Sequence, residues 1–256
     1  MNSRYDIPSR LHDQDLGWFS LRLNPRAKRY IVRIDKHGEW LMTVPPMQTK
    51  ADVVRTIDKM REDLRKHRAR LEHKLPHHIF DTTTCIHTPT FRMRLERGKT
   101  DGIKGSIKVE GGVGHLSVYV DERVDITSRG AQDAIERLCV QGLRFTAQRI
   151  LPPRLMTLAK QYGLSINKVG IHNTTSRWGS RSSKGNINLS LYLVLLPHHL
   201  QDHVMKHELT HILHMDHSEA FWHQLDILCQ GHAKEEDKEM SNYRINLRHY
   251  LRECSE

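Results

Sequence analysis

His207-Glu208-Leu209-Thr210-His211 sets two imidazoles four residues apart with a carboxylate beside the first. On a helix of about 3.6 residues per turn the two rings share a face and can grip one ion. Glu208 projects beside that face, where it reaches a water held by the metal and acts as general base without being a ligand, as zinc-dependent peptide hydrolysis requires. The neighbouring residues supply the helix: Leu200, Val204, Leu209, Ile212 and Leu213 recur at helical spacing through His198 to Leu213. A chain with 19 histidines can produce such a pattern by chance. The helical setting, a nearby third histidine and an apolar strand just upstream favour a metal site instead.

A catalytic zinc site takes three protein ligands and keeps one position open. No Asp or Glu occurs between Glu136 and Asp202, so a carboxylate ligand has to come from downstream. His214 stays on the same helical face but climbs away by about 1.5 Å per residue, whereas His217 can turn back only if the helix breaks first. Asp216 followed three residues later by Glu219 reads as a capping-box start for a new helix through Phe221, Trp222, Leu225 and Leu228. That break favours His217, with His214, Glu219, Asp226, Glu235 and Glu236 as weaker candidates. Asp226 also fits an acceptor that holds a ligand imidazole. The pairs His77-His78 and His198-His199, and His203, read as surface residues.

Working outward, Ile166 to Ile171 and Ile187 to Leu196 are apolar runs separated by the polar loop His172 to Gly185 and ended by Pro197. Ala131 to Ile150 reads as one helix, and Pro152-Pro153 opens a second that Gly163 closes. Before Asp125 the pattern is different. Tyr30, Val32 and Ile34, then Trp40, Met42 and Val44 after Lys36-His37-Gly38, alternate as a β-hairpin that Pro45-Pro46 ends. Val53, Ile57, Met60, Leu64 and Leu71 mark an amphipathic helix over Thr49 to Leu75, whose outer run of Arg61, Arg65, Lys66, Arg68 and Arg70 reads as a solvated face. Phe91 to Leu95, Ile103 to Val109 and His115 to Val120 alternate again, the last two joined by Gly111-Gly112-Val113-Gly114. The expectation is an α+β chain: a β-rich N-terminal region with one long helix over 1–125, and a catalytic domain over 126–256 with the His-Glu-x-x-His helix at its centre.

The 256 residues suffice for a buried core without disulfides. With 38% hydrophobic and 27% charged residues the chain is polar but not disordered throughout. The formal charge of +10 is uneven, residues 1–100 carrying 21 basic against 12 acidic side chains and 201–256 carrying 6 against 11. Such a balance suits phosphates or acidic proteins, although a solvated basic surface is the commoner meaning. Cys85, Cys139, Cys229 and Cys254 have no close spacing and read as free thiols of a reducing compartment. Neither Met1 to Arg10 nor the greasy stretch Leu189 to Leu196 has the length of a signal core or a bilayer span, so the expected address is the cytoplasm, with no membrane partner.

The His207 to His211 motif, then His217-Ser218-Glu219-Ala220-Phe221-Trp222, preceded by Arg177-Trp178-Gly179-Ser180 and Gly185-Asn186-Ile187-Asn188-Leu189 to Pro197, resembles the YgjP-like zinc metallopeptidases, relatives of the SprT-like and WLM proteases. The resemblance runs over nearly the whole chain. It implies a zincin-like domain with Zn2+ on His207, His211 and His217 and with Glu208 as base. Arg181 stands where that family often shows Cys. In such an architecture the strand Ile187 to Leu193 lies at the cleft edge, where a polypeptide substrate adds as a further strand. Arg177 is a weak candidate for oxyanion stabilisation. Arg177, Trp178 and Asn188 are candidate substrate or transition-state contacts, although Trp178, Phe221 and Trp222 also read as core. Two other readings stand beside the peptidase. One is a basic nucleic-acid or nucleoprotein binding module with a structural metal, against which three histidines with a free glutamate argue. The other is a metal hydrolase of non-peptide substrates. Oligomeric state is not encoded in the pattern.

Overall fold

The computed structural model describes residues 7–34, 40–72 and 79–254. Lys36-His37-Gly38, His77-His78 and the side chains of Arg68, Arg70 and Leu71 lie outside the described residues. The α+β expectation holds, but the chain parts between Pro76 and His77 and not near 125. The reason lies in packing: the strands over 84–121 have no core of their own and cover their apolar face with the helix that follows, so strands and helix form one body.

In the first unit, Met1–Pro76, β1 (Arg10–Asp13), β2 (Gly17–Leu23), β3 (Ile31–Ile34) and β4 (Trp40–Val44) form a sheet of order β1-β2-β4-β3. Strict alternation on β4 buries Trp40, Met42 and Val44, which share a core with Leu16, Phe19 and the Val53, Ile57, Leu64 stripe of α1 (Lys50–Glu72). Trp40 Nε1 donates to the Leu16 carbonyl at 3.0 Å, so the indole is buried with its donor satisfied. The outer face of α1 is more than solvated charge. Arg61 forks onto both oxygens of Asp13 at 2.8 Å and reaches Asp15 at 3.0 Å, and Arg65 joins Asp15 at 2.9 Å.

In the second unit, β5 (Thr84–His87), β6 (Phe91–Gly98), β7 (Ile103–Glu110) and β8 (Val113–Asp121) lead into α2 (Arg129–Gln161). β9 (Lys168–His172), β10 (Gly179–Arg181) and β11 (Asn186–Ser190) follow, and a 3-10 turn over Leu191–Leu195 leads into α3 (His198–Thr210). Then come α4 (Glu219–Leu228), α5 (Ala233–Met240) and β12 (Leu251–Glu253). The five-stranded sheet has the order β12-β5-β6-β8-β7, and the smaller one β10-β11-β9.

Pro152 and Pro153 do not open a new helix; both lie inside the single helix α2. Each lacks the N–H its position would donate, a local cost of about 3 kcal/mol on the usual scale. The buried stripe Leu143, Ala147, Leu151, Leu155 and Ala159 continues across the prolines on one helical face, so burial on both sides outweighs that loss. The apolar run from Ile187 is likewise not one strand. Ser190 ends β11, its Oγ accepting from the Tyr192 N–H at 3.3 Å, and the chain tightens into the 3-10 turn.

Candidate metal centre

α3 delivers His207 and Glu208 from its last turn, and His211 caps it. The chain then turns through Ile212 and Leu213, whose N–H groups bond back to the carbonyls of Leu209 and Thr210. α4 begins after Ser218, two residues beyond the expected cap; Asp216 accepts from the Ser218 N–H at 3.3 Å instead of capping the helix itself. This break swings His217 back over α3. His207, His211 and His217 each offer a ring nitrogen within 4.8 Å of the others, and the Nε2 atoms of His207 and His217 are 3.1 Å apart. Ligands at about 2.0–2.1 Å from one tetrahedral ion are spaced by a little over 3 Å.

Second contacts fix the rings. His211 Nδ1 lies 3.0 Å from the His214 carbonyl, which can only accept, so Nδ1 carries the proton and Nε2 is left bare. His214 therefore serves through its backbone, and its ring is not in the cluster. Phe221, fully buried, sets its ring centroid 4.9, 4.7 and 4.7 Å from those of His207, His211 and His217. Burial pushes the His207 pKa down to about 3, helped by His211, His217 and His203, and burial also lowers that of His211. Neutral imidazoles are what a metal ligates.

Glu208 is 5% exposed and its Oε2 is buried without a hydrogen-bond partner among the described residues. Burial raises its pKa to about 7, and the nearby Arg177 pulls it back down. Three imidazoles beside a buried carboxylate suit a divalent cation: the rings can serve as donors, and the carboxylate stays available for a proton.

β10 passes directly over this carboxylate. A Cβ built on Gly179 would stand 2.6 Å from Glu208 Oε1 and 2.8 Å from its Cγ, so no larger residue fits there without moving Glu208. Gly179 lies within the Arg177 to Ser180 motif but has no place in the site by sequence alone; its close approach to Glu208 depends on a strand too short to be read from sequence. Arg177, Trp178, Gly179, His207 and Glu208 line one cavity of roughly 280 Å³. Asn188 is not grouped with them: its amide oxygen meets His172 Nε2 at 3.0 Å. Nor is it on an edge, because β11 is the middle strand of its sheet, paired with β10 on one side and β9 on the other. The edge nearest Glu208 is β10. Arg181, on that strand, points its guanidinium at Met215 Sδ, 2.8 Å away in the loop before His217.

The remaining candidates are placed elsewhere. Asp226 caps the Ala233 N–H at 3.2 Å and holds no imidazole of the cluster. Glu235 pairs with His232. His198 and His199 are exposed, as expected. His203 is not a surface residue: it is 3% exposed and lies 3.1 Å from Glu236 Oε2.

The sequence matches the model of the YgjP-like family, described as a metallopeptidase domain, over residues 28–243. The chain belongs to the YgjP-like metallopeptidase family. It is therefore a metallopeptidase in its family's sense, and the metal that class implies fits the cluster of His207, His211 and His217. No curated protein matches the sequence. Among solved structures, the crystal structure of the metallopeptidase zymogen of Pyrococcus abyssi abylysin is similar, at 23% identity over 36% of this YgjP-like chain and 93% of that one, with a TM-score of 0.33. Among the described residues no helix is long and apolar enough to cross a membrane.

Proposed function

We propose that the protein is a zinc-dependent peptidase in which His207, His211 and His217 hold the ion and Glu208 is the general base. The observation that carries this reading is the cluster of the His207, His211 and His217 imidazoles, with Glu208 lining the same cavity as His207 and keeping a buried Oε2 without a hydrogen-bond partner among the described residues. Zinc, when bound, supplies Lewis-acid polarisation of the scissile carbonyl and of the attacking water. Glu208 takes that water's proton and passes it to the leaving amine, a task suited to a carboxyl whose pKa burial has raised toward neutrality. An extended polypeptide lies along β10, the edge strand over Glu208, and joins it by main-chain hydrogen bonds. Arg177, which lines the same cavity, is our candidate for steadying the oxyanion. Elemental analysis of the wild type beside His207→Ala and His217→Ala, at matched helicity, tests the ligand set. The expected result is less zinc in both variants. Retention of the metal by His217→Ala would move the third ligand elsewhere.

A second role, contact with nucleic acid, is favoured by one surface. The face of the five-stranded sheet turned away from α2 carries the cross-strand row His87, Arg92, His115 and Lys108, beside the row Arg252, Cys85, Arg94, Ser117 and Ser106. Glu96 and Glu110 offset Arg94 and Lys108 in part. Arg92, Lys108, Arg94 and Arg252 put four cations on one open face where phosphates can pair with them, and such binding weakens steeply with salt. Replacing Arg92 and Lys108 by Ala should reduce retention on single-stranded DNA and flatten its dependence on salt. Unchanged retention in the double variant would remove this role.

A further inference from the structure

One helical turn before His207, and lining the same cavity through His203, a second set of donors meets. His203 comes from α3, one turn before His207, Cys229 from the residue that ends α4, and Glu236 from α5. His203 Nδ1 is 3.1 Å from Glu236 Oε2 and 3.7 Å from Cys229 Sγ, and all three donor atoms lie within 4.8 Å of one another. His203 and Cys229 are each 3% exposed.

Glu236 is the common meeting point of the group, its carboxylate reached by both the His203 ring and the Cys229 thiol. Glu236 faces one nitrogen of the His203 ring, and Asp237 Oδ1 stands 4.0 Å from the other. Charging the ring would satisfy both sides, but burial disfavours the charged form. The Cys229 thiol adds a third group to the same point, and burial holds it protonated, with a pKa pushed up to about 12. Lys206 and Asp226 are the other charged side chains acting on the pair, one of each sign.

We infer that His203, Cys229 and Glu236 form a second metal site, selective for zinc or a similar borderline divalent cation and distinct from the three-histidine centre. The geometry fits that assignment. The Nδ1 lone pair binds the ion, and Nε2 lies on the side of Asp237, whose carboxylate is 4.0 Å away. Cys229 loses its proton to solvent as the sulfur–metal bond forms. Thiolate and carboxylate together cancel the ion's charge, which a buried site requires. The separations of 3.1 and 3.7 Å match neighbouring donors at about 2.0–2.3 Å from a tetrahedral ion. A thiolate beside an imidazole excludes magnesium and calcium as occupants. Three protein donors leave one position open, and the ion ties α3, α4 and α5 together one helical turn before His207.

Cobalt(II) titration of chelator-stripped full-length protein tests the site, because thiolate ligation gives a near-ultraviolet charge-transfer absorption that all-imidazole ligation lacks. The expected result is two equivalents of cobalt per chain, with the thiolate band complete at one of them. Cys229→Ser should lose the band and one equivalent, and Glu236→Gln should weaken the same equivalent. His217→Ala should lose the other equivalent and keep the band, which separates this site from the proposed catalytic centre. Absence of the band from wild type that is folded by circular dichroism, or a band that survives in Cys229→Ser, overturns the inference. If Cys229→Ser does not fold, Cys229→Ala and His203→Gln carry the same comparison.

Discussion

Glu208 and Gly179 act as one feature although they lie on different elements. The carboxylate is buried, lacks a hydrogen-bond partner among the described residues, and is roofed by a strand whose glycine leaves it room. Replacing Glu208 by Gln keeps the shape and removes the proton acceptor. Peptidase activity should then fall by about 10²–10⁴-fold, the usual weight of a general base, while elemental analysis shows the metal retained. Gly179→Ala makes the complementary test. Its added methyl would stand 2.6 Å from Glu208 Oε1, so the carboxylate must move. A shift of about 1 Å in such a group costs on the order of 10²-fold in kcat, again with metal content unchanged. Full activity in Gly179→Ala would show that the carboxylate acts from another position.

At the scale of elements, α4 is the part whose packing decides whether the metal ligands converge. Phe221 is its innermost residue and touches all three imidazole rings. Phe221→Ala should lower stability by about 3–5 kcal/mol in chemical denaturation, as large core truncations do. It should also weaken metal affinity by about 10–100-fold, the usual effect of losing support around a ligand. Equal affinity in a stable variant would mean that the loop before His217 fixes the ligand by itself. The elements were legible in the sequence wherever a local signal was strong. His207 and His211 share a helical face by spacing alone, and the break that returns His217 was marked by Asp216 and Glu219, two residues early. What stayed hidden depended on partners distant in sequence. Pro152 and Pro153 read as a helix start because the burial of Leu151 and Leu155 that carries α2 through them is tertiary. β11 read as an edge because a three-residue neighbour, Gly179–Arg181, is too short to announce itself as a strand. His203 read as a surface residue because Cys229 and Glu236, which receive it, lie 26 and 33 positions away.

At the scale of the whole molecule, the chain divides into two units with separate apolar cores. The first unit's core is made of Leu16, Phe19, Trp40 and the α1 stripe; the second unit holds a large core over the five-stranded sheet, α2 and α3 and a small cluster of Phe221, Leu225, Cys229 and Ala233. The metal-ligand candidates all belong to the second, and the Arg61–Asp13 fork to the first. Each unit therefore has its own handle. Arg61 holds the Asp13 carboxyl well below the usual carboxylate range, chiefly through the hydrogen bonds between them. An acid whose pKa is depressed on folding adds stability above its unfolded value of 3.8, and that stability is lost as the pH falls through the lower folded value. Arg61→Met should accordingly lower the melting temperature of the first unit at pH 7, and its difference from wild type should shrink toward low pH. Chelation acts on the other unit, because an ion that binds only the folded state stabilises it by RT ln(1 + [M]/Kd), about 4 kcal/mol when the metal stands a thousandfold above Kd. Differential scanning calorimetry should resolve two transitions, one lowered by Arg61→Met and indifferent to chelator, the other lowered by chelator and indifferent to Arg61. A single transition that both treatments lower together would show that the two units unfold as one cooperative body.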